Sequence, residues 1–176
     1  MKTNVALIGF MGTGKTAVGK VLAEKLKRKF IGLDSLIEQK AGKSIPEIFQ
    51  RHGEVAFREL EIEVTKEIAN EKNLVIDCGG GIVLNKINID RLKSNSVIVY
   101  LTASPSVILK RTLVDGETRP LLNVSDRTSE IRELLKSRDP FYERAADIKI
   151  NTSNLDFNSI TEQIIMKLKE DESFHF

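Results

Sequence analysis

Tryptophan is absent from the chain, and cysteine occurs once, at Cys78. A lone cysteine cannot close an intrachain disulfide, and no cysteine spacing of the zinc-binding kind exists. Histidine is nearly as scarce. His52 and His175 lie far apart, so a histidine-based zinc site or a Ser-His-Asp triad is poorly supported. No apolar run approaches the roughly 20 residues of a membrane span. The short apolar run Asn4 to Phe10 ends in glycines and lacks the small-residue cleavage site of a secretory leader. A reducing cytoplasm is the expected location. Excess charge is small too: 27 Lys and Arg face 25 Asp and Glu, for a net +2 at pH 7. Neither nucleic acid nor a membrane surface is expected as a partner.

What is present suffices for one domain. The 176 residues are 41% hydrophobic and 30% charged, enough to bury a core without disulfides. Val5-Ala6-Leu7-Ile8 reads as a strand buried on both faces. Lys15 to Lys27 carries Val18, Val21, Leu22 and Leu26 at helical spacing. Phe30 to Leu33 predicts a second strand, and Asp34 an N-cap for a helix over Leu36 to Lys40. Ser44 caps a further helix with Pro46 and Glu47 in its first turn, and Val55 to Asn70 predicts a long amphipathic one. Leu74 to Ile76 and Ser96 to Leu101 are strands three and four. Pro105 to Thr112 reads as a helix, and Leu113 to Asp126, with Gly116 and Pro120, as a mobile loop. Ser129 to Ala146 predicts a helix broken near Pro140. Ile148 to Ile150 is a fifth strand, Ile160 to Leu168 a last helix, and 171–176 a frayed tail. Alternation of strands and helices implies an α/β domain over 1–170 with a largely parallel sheet, whose ligands bind at the carboxyl ends of the strands.

The chemistry concentrates there. Gly9-Phe10-Met11-Gly12-Thr13-Gly14-Lys15-Thr16 fits the P-loop pattern G-x-x-x-x-G-K-[ST]. Glycines let backbone N–H groups fold around phosphate oxygens, and the following helix adds its positive end. Lys15 reaches the outer phosphates, and the Thr16 hydroxyl can ligate Mg²⁺. ATP or GTP with Mg²⁺ is therefore expected. A second glycine run, Asp77-Cys78-Gly79-Gly80-Gly81, permits close backbone approach to a ligand or makes a flexible turn. Arg58 could pair with Glu61 on a helix surface. Arg119 and Arg138 are individually ordinary. Cys78 reads as a small buried hydrophobe, near enough to the site for thiol reagents to inhibit. Glu38 and Glu61 read as structural partners of nearby cations, and His52 as a helix-end surface residue.

Taken together, these motifs resemble the shikimate kinase family. The order is the P-loop, Asp34-Ser35-Leu36-Ile37-Glu38, Gly53-Glu54 with Phe57-Arg58, Gly79-Gly80-Gly81, Arg111-Thr112, Arg119-Pro120-Leu121-Leu122, then Arg138 with Pro140 and Tyr142. The likeness runs from Asn4 to about Leu168. It implies a three-layer α/β/α P-loop kinase with a five-stranded parallel sheet, order 2-3-1-4-5, a shikimate-binding region over about 34–61 and a mobile lid over about 113–126. It implies transfer of the γ-phosphoryl group of ATP to shikimate, with Mg²⁺, by a monomer. By resemblance, Asp34 contacts the reacting hydroxyl, Arg58 and Arg138 bind the substrate carboxylate, and Gly79, Gly80 and Gly81 approach the substrate. Arg119 and Lys15 neutralise the transferring phosphoryl group. Gly12, Thr13, Gly14, Lys15, Thr16 and Ala17 hold the phosphates, and Arg111 packs on the adenine.

One position departs from that pattern. Many relatives carry Asp-x-Asp where this chain has Gly32-Leu33-Asp34, which removes an acid near the Mg²⁺ waters. Asp77, at the end of the third strand, either takes over that role or merely caps the glycine turn. Two other functions stay open: a kinase of another hydroxylated acid such as gluconate, and a nucleotide-binding module without catalysis.

Overall fold

In the computed structural model, residues 1–114 and 119–176 are described. Five strands alternate with helices: β1 (Asn4–Ile8), α1 (Lys15–Leu26), β2 (Lys29–Gly32), α2 (Leu33–Ala41), α3 (Ile45–Ile68), β3 (Leu74–Asp77), α4 (Lys86–Lys93), β4 (Ser96–Thr102), α5 (Pro105–Val114), α6 (Arg127–Ala145), β5 (Ile148–Asn151) and α7 (Phe157–Glu170). Short 3₁₀ turns occupy Ile82–Leu84 and Pro120–Leu122. All pairings are parallel, and the order is β2-β3-β1-β4-β5, as the resemblance implies.

Alternation along the strands builds the layers. Ala6 and Ile8 of β1 point into a core completed by Ile37, Ile48, Val64, Leu92 and Tyr142 from α2, α3, α4 and α6. Val5 and Leu7 point the other way, against Val18 and Leu22 of α1 and Ile160, Ile164 and Leu168 of α7. Every residue of β1 is buried. That explains why the first strand reads as an unbroken apolar run.

Several expectations need correction. α2 begins at Leu33, straight from the end of β2, with Gly32 at the N-cap. Asp34 is thus in the first helical turn instead of capping it. Fully buried Leu33 pins the helix start, moving the N-cap two residues earlier, and Asp34 gains the positive end of the helix. The two helices expected around residues 44–70 are joined end to end, with a break at Gly53 (φ 79°, ψ 176°). Only glycine adopts that conformation readily. Ser44 caps α3 by accepting from the Glu47 N–H, as expected. α6 runs unbroken through Pro140, because buried Arg138 and Tyr142 on either side hold it in line. α4 has no counterpart in the sequence expectations; its N-cap Asn85 makes no side-chain cap. Of the expected lid, residues 115–118, Gly116 among them, lie outside the described residues. Beyond them Leu122 is buried with Phe10, Ile108 and Ile131.

The expected frayed tail is instead docked. The Lys2 N–H donates to Ser173 O (2.8 Å), and the His175 N–H donates to Lys2 O (2.8 Å). Phe174 is buried in the α1/α7 core, with the Arg28 guanidinium 4.4 Å from its ring centroid. The six residues read as polar and loose, yet one aromatic side chain anchors them. Phe174→Ala should therefore lower the unfolding free energy by about 2–3 kcal/mol, the scale for losing a buried aromatic near a surface, as read from the urea midpoint.

Candidate active site

The loops after β1, β2 and β3 meet at the carboxyl ends of the strands, where the strand order reverses around β1. Gly9 leaves β1 with φ 146°, and a Cβ there would sit 2.3 Å from Leu101 O on β4. A glycine is required for the P-loop to turn so close to the neighbouring strand. The Thr13 hydroxyl is turned inward, donating to Phe10 O at 2.8 Å. Lys15 is buried. Its Nζ donates to Gly9 O (2.9 Å) and Phe10 O (3.1 Å). Burial lowers its pKa, opposed by the negative charges of Asp77 and Asp34.

The Thr16 hydroxyl donates to Asp77 Oδ2 at 2.5 Å. Asp77 is the register partner of Gly32 on the adjacent strand. The acid absent from position 32 thus has a carboxylate beside it, at the same edge of the sheet. Among the described residues no three His, Cys, Asp or Glu side chains cluster as a metal site. A hydroxyl and a carboxylate side by side do match the hard oxygen donors Mg²⁺ takes when phosphates complete its shell.

Arg111 donates to Gly12 O (3.2 Å), Thr152 Oγ1 (3.1 Å) and Thr152 O (2.8 Å). The Thr152 hydroxyl donates in turn to Thr13 O (2.7 Å). This pair clasps the loop after β5 to the P-loop, while Arg111 still lines the cavity over the P-loop. Thr152 has no motif around it that would have singled it out.

Two cavities share a wall. One, of about 550 Å³, is lined by Gly12, Gly14, Lys15, Thr16, Ala17 and Asp77. The other, of about 470 Å³, is lined by Arg58, Arg138, Glu61, Gly81, Phe49 and Phe57. Asp34, Ser35, Met11, Gly79, Gly80 and Arg119 line both. The structure thus brings the expected substrate residues around the second cavity and the expected phosphate residues, apart from buried Thr13, around the first. The second cavity is walled in part by both halves of α3 across the Gly53 break, and the Phe49 and Phe57 rings lie 5.0 Å apart. Ser35, Ile45, Pro46 and Phe49 fall within the expected 34–61 region but were not singled out as site residues, being ordinary helix residues until the chain folds.

Arg58 lies flat on Gly81, where a Cβ would sit 2.4 Å from its nitrogens. Its Nη1 donates to both Glu61 oxygens at 3.2 Å, and its Nη2 to Glu54 Oε1 at 3.1 Å. Arg138 is buried, with its guanidinium 5.8 Å from the Phe10 ring centroid. Tyr142 donates its hydroxyl to Gly80 O, fixing the glycine run. Among the described residues Glu38 pairs with no cation, contrary to expectation; it accepts from the Ile45 N–H at 2.9 Å and so ties α2 to α3. Cys78 is fully buried, and burial pushes its thiol well up, which withholds the reactive thiolate. His52 is on the surface.

Glu61 was expected to be a structural partner, and it pairs with Arg58 as such. Its carboxyl is also pushed up to about 7, first by burial, against the pull of Arg58 and with a further push from Asp34. The folded value exceeds the ordinary one of 4.5, so stability from this group is lost as pH rises from about 4.5 through 7. Glu61→Gln, which mimics the protonated form, should melt at a temperature that rises relative to the native chain between pH 5 and pH 8. A constant difference across that range would remove Glu61 as the titrating group.

The chain matches the shikimate kinase family over residues 11–169. It is 46% identical to the shikimate kinase of Pelotomaculum thermopropionicum over 95% of this chain and 96% of that protein. It is 48% identical to that of Caldanaerobacter subterraneus subsp. tengcongensis, over 94% and 98%. Among solved structures, a shikimate kinase from Acinetobacter baumannii in complex with shikimate superposes with a TM-score of 0.93 at 38% identity, covering 98% of this chain and 96% of that one. A gluconokinase from Sinorhizobium meliloti reaches a TM-score of 0.63 at 16% identity, a likeness of fold alone. The matched residues take in the glycine-rich turn, the arginines and the shared wall, and the chain belongs to the shikimate kinase family.

Proposed function

We propose that the chain transfers the γ-phosphoryl group of ATP to the 3-hydroxyl of shikimate, giving shikimate 3-phosphate and ADP, a step toward chorismate and the aromatic amino acids. The observation that supports this residue assignment best is the position of Asp34. It stands in the wall shared by the arginine-lined and P-loop cavities, where an acceptor hydroxyl and a γ-phosphate would meet.

Shikimate enters the cavity with its carboxylate on Arg58 and Arg138, whose guanidinium forks suit that group. The closely approaching backbone of Gly79, Gly80 and Gly81 borders its ring. Asp34 orients the 3-hydroxyl and receives its proton as the oxygen–phosphorus bond forms and the bond from phosphorus to the β–γ bridging oxygen breaks. Lys15 exchanges the Gly9 and Phe10 carbonyls for phosphate oxygens, and Arg119 neutralises charge on the group in flight. Thr16 and Asp77 would hold Mg²⁺, directly or through its waters, and the ion would supply charge neutralisation to the phosphates. Asp77 thereby takes over the place of the acid that position 32 lacks. The same reading has the enzyme work as a monomer in the cytoplasm, where ATP is present. No helix among the described residues is long and apolar enough to cross a membrane.

A coupled ADP-release assay tests the whole reading: release with shikimate and not with quinate or gluconate is the expected result. Asp34→Asn should lower kcat by about 10²- to 10⁴-fold, the scale for losing a positioned general base, with little change in KM for shikimate. Arg138→Ala should instead weaken shikimate binding by roughly 10- to 100-fold, the scale of one charge-assisted hydrogen bond. Asp77→Asn should raise the Mg²⁺ concentration needed for half-maximal rate, and an unchanged requirement would remove Asp77 from that role.

A further inference from the structure

The acceptor cavity holds more carboxylates than its guanidiniums can match once a substrate arrives. Arg58 is the meeting point. Its Nε and Nη2 donate to Glu54 Oε1 at 3.3 and 3.1 Å, and its Nη1 to both oxygens of Glu61. A substrate carboxylate must then use the remaining outer edge of the same guanidinium, with help from Arg138. Asp34 and Glu61 already flank Gly79 together: a Cβ there would sit 3.0 Å from Asp34 Oδ1 and 3.3 Å from Glu61 Oε2.

The groups facing Glu61 can be named element by element. α3 supplies Arg58, with Glu54 behind it; α2 supplies Asp34; α6 supplies Arg138 and Tyr142; the loop after β3 supplies Cys78. Burial pushes the Tyr142 hydroxyl up to about 12 and the Cys78 thiol well up, so both are neutral near pH 7. Counting all of the cavity's charged groups, three guanidiniums (Arg58, Arg119 and Arg138) stand with four carboxylates (Asp34, Glu38, Glu54 and Glu61) in the free protein and with five when substrate is bound. The excess negative charge is least tolerable at the carboxylate with the least water. The Glu61 side chain is 1% exposed, against 46% for Glu54, and Asp34 is exposed. Uncompensated charge in a buried position is relieved by protonation.

We propose that Glu61 takes up a proton from solvent when the substrate carboxylate docks on Arg58 and Arg138, so that acceptor binding and proton binding are coupled. This rests on the assignment of that cavity to shikimate made above. The Glu61 carboxyl is already poised close to neutrality, and a modest further push completes its protonation. The protonated side chain keeps an oxygen for Arg58 Nη1, so the guanidinium stays in place while its charge is released to the substrate. Acceptor affinity then falls as pH rises above 7, although shikimate itself stays ionised.

Calorimetry of shikimate binding in buffers of different ionisation enthalpy tests this. The native chain should take up a fraction of a proton per shikimate near pH 7 and almost none at pH 5, where Glu61 is already protonated before shikimate arrives. Glu61→Gln should bind shikimate with no proton uptake. Binding without uptake in the native chain overturns the proposal, as does uptake that persists in Glu61→Gln. Failure of shikimate to bind the native chain at all overturns instead the assignment of the cavity. Infrared difference spectra of the native chain do not depend on the variant's folding. They should show a protonated carboxyl band appearing on shikimate addition, and its absence would count against Glu61.

Discussion

The whole arrangement hangs on the burial of β1. That strand is covered on both faces and hydrogen-bonded on both edges, to β3 and β4. The chain can leave it only at its carboxyl end, over the edge of β4, and there Gly9 passes so near Leu101 O that no side chain fits. The phosphate-binding turn is therefore held by the most rigid part of the core. Neighbouring strands end at the same level, so Asp77 arrives beside Thr16, and Asp34 stands in the first turn of α2, two residues past the end of β2. Side chains from distant parts of the sequence are brought together by a common edge of the sheet.

Legibility in the sequence follows from how local each requirement is. The P-loop could be read directly, because glycines, a lysine and a hydroxyl must follow one another within a single turn. The strands could be read because double burial demands continuous apolar runs. Arg58 and Arg138 could not be read one at a time. They lie far apart in the chain, and only the order of the whole motif set connected them. Glu61 looked like an ordinary helix-surface partner because its spacing from Arg58 is the commonest one; its burial comes from α2 and the glycine run, which no local pattern reveals. Thr152 was invisible for the same reason, since its role depends on β5 ending beside the P-loop. The tail was misread because one phenylalanine among polar residues carries the anchoring.

The two cavities solve their electrostatic problem differently. On the phosphate side, Lys15 waits on carbonyl oxygens of its own loop, so an arriving anion exchanges one set of acceptors for a stronger one. On the acceptor side, Arg58 waits on carboxylates. Those carboxylates preorganise the guanidinium but compete with the substrate for its charge. Rigidity and affinity pull in opposite directions there, and a buried acid able to change its protonation state reconciles them.

The break in α3 at Gly53 has a further consequence for how such a pocket changes size. Phe49 and Pro46 stand on one side of it, Phe57 and Arg58 on the other, and nothing lies within 4 Å of where a Cβ would sit. The gap between the two walls is thus governed by backbone torsions at one solvent-facing position. Pocket width and pocket chemistry are separately heritable: the first can drift through residue 53 and its neighbours while every side chain that touches the acceptor stays the same.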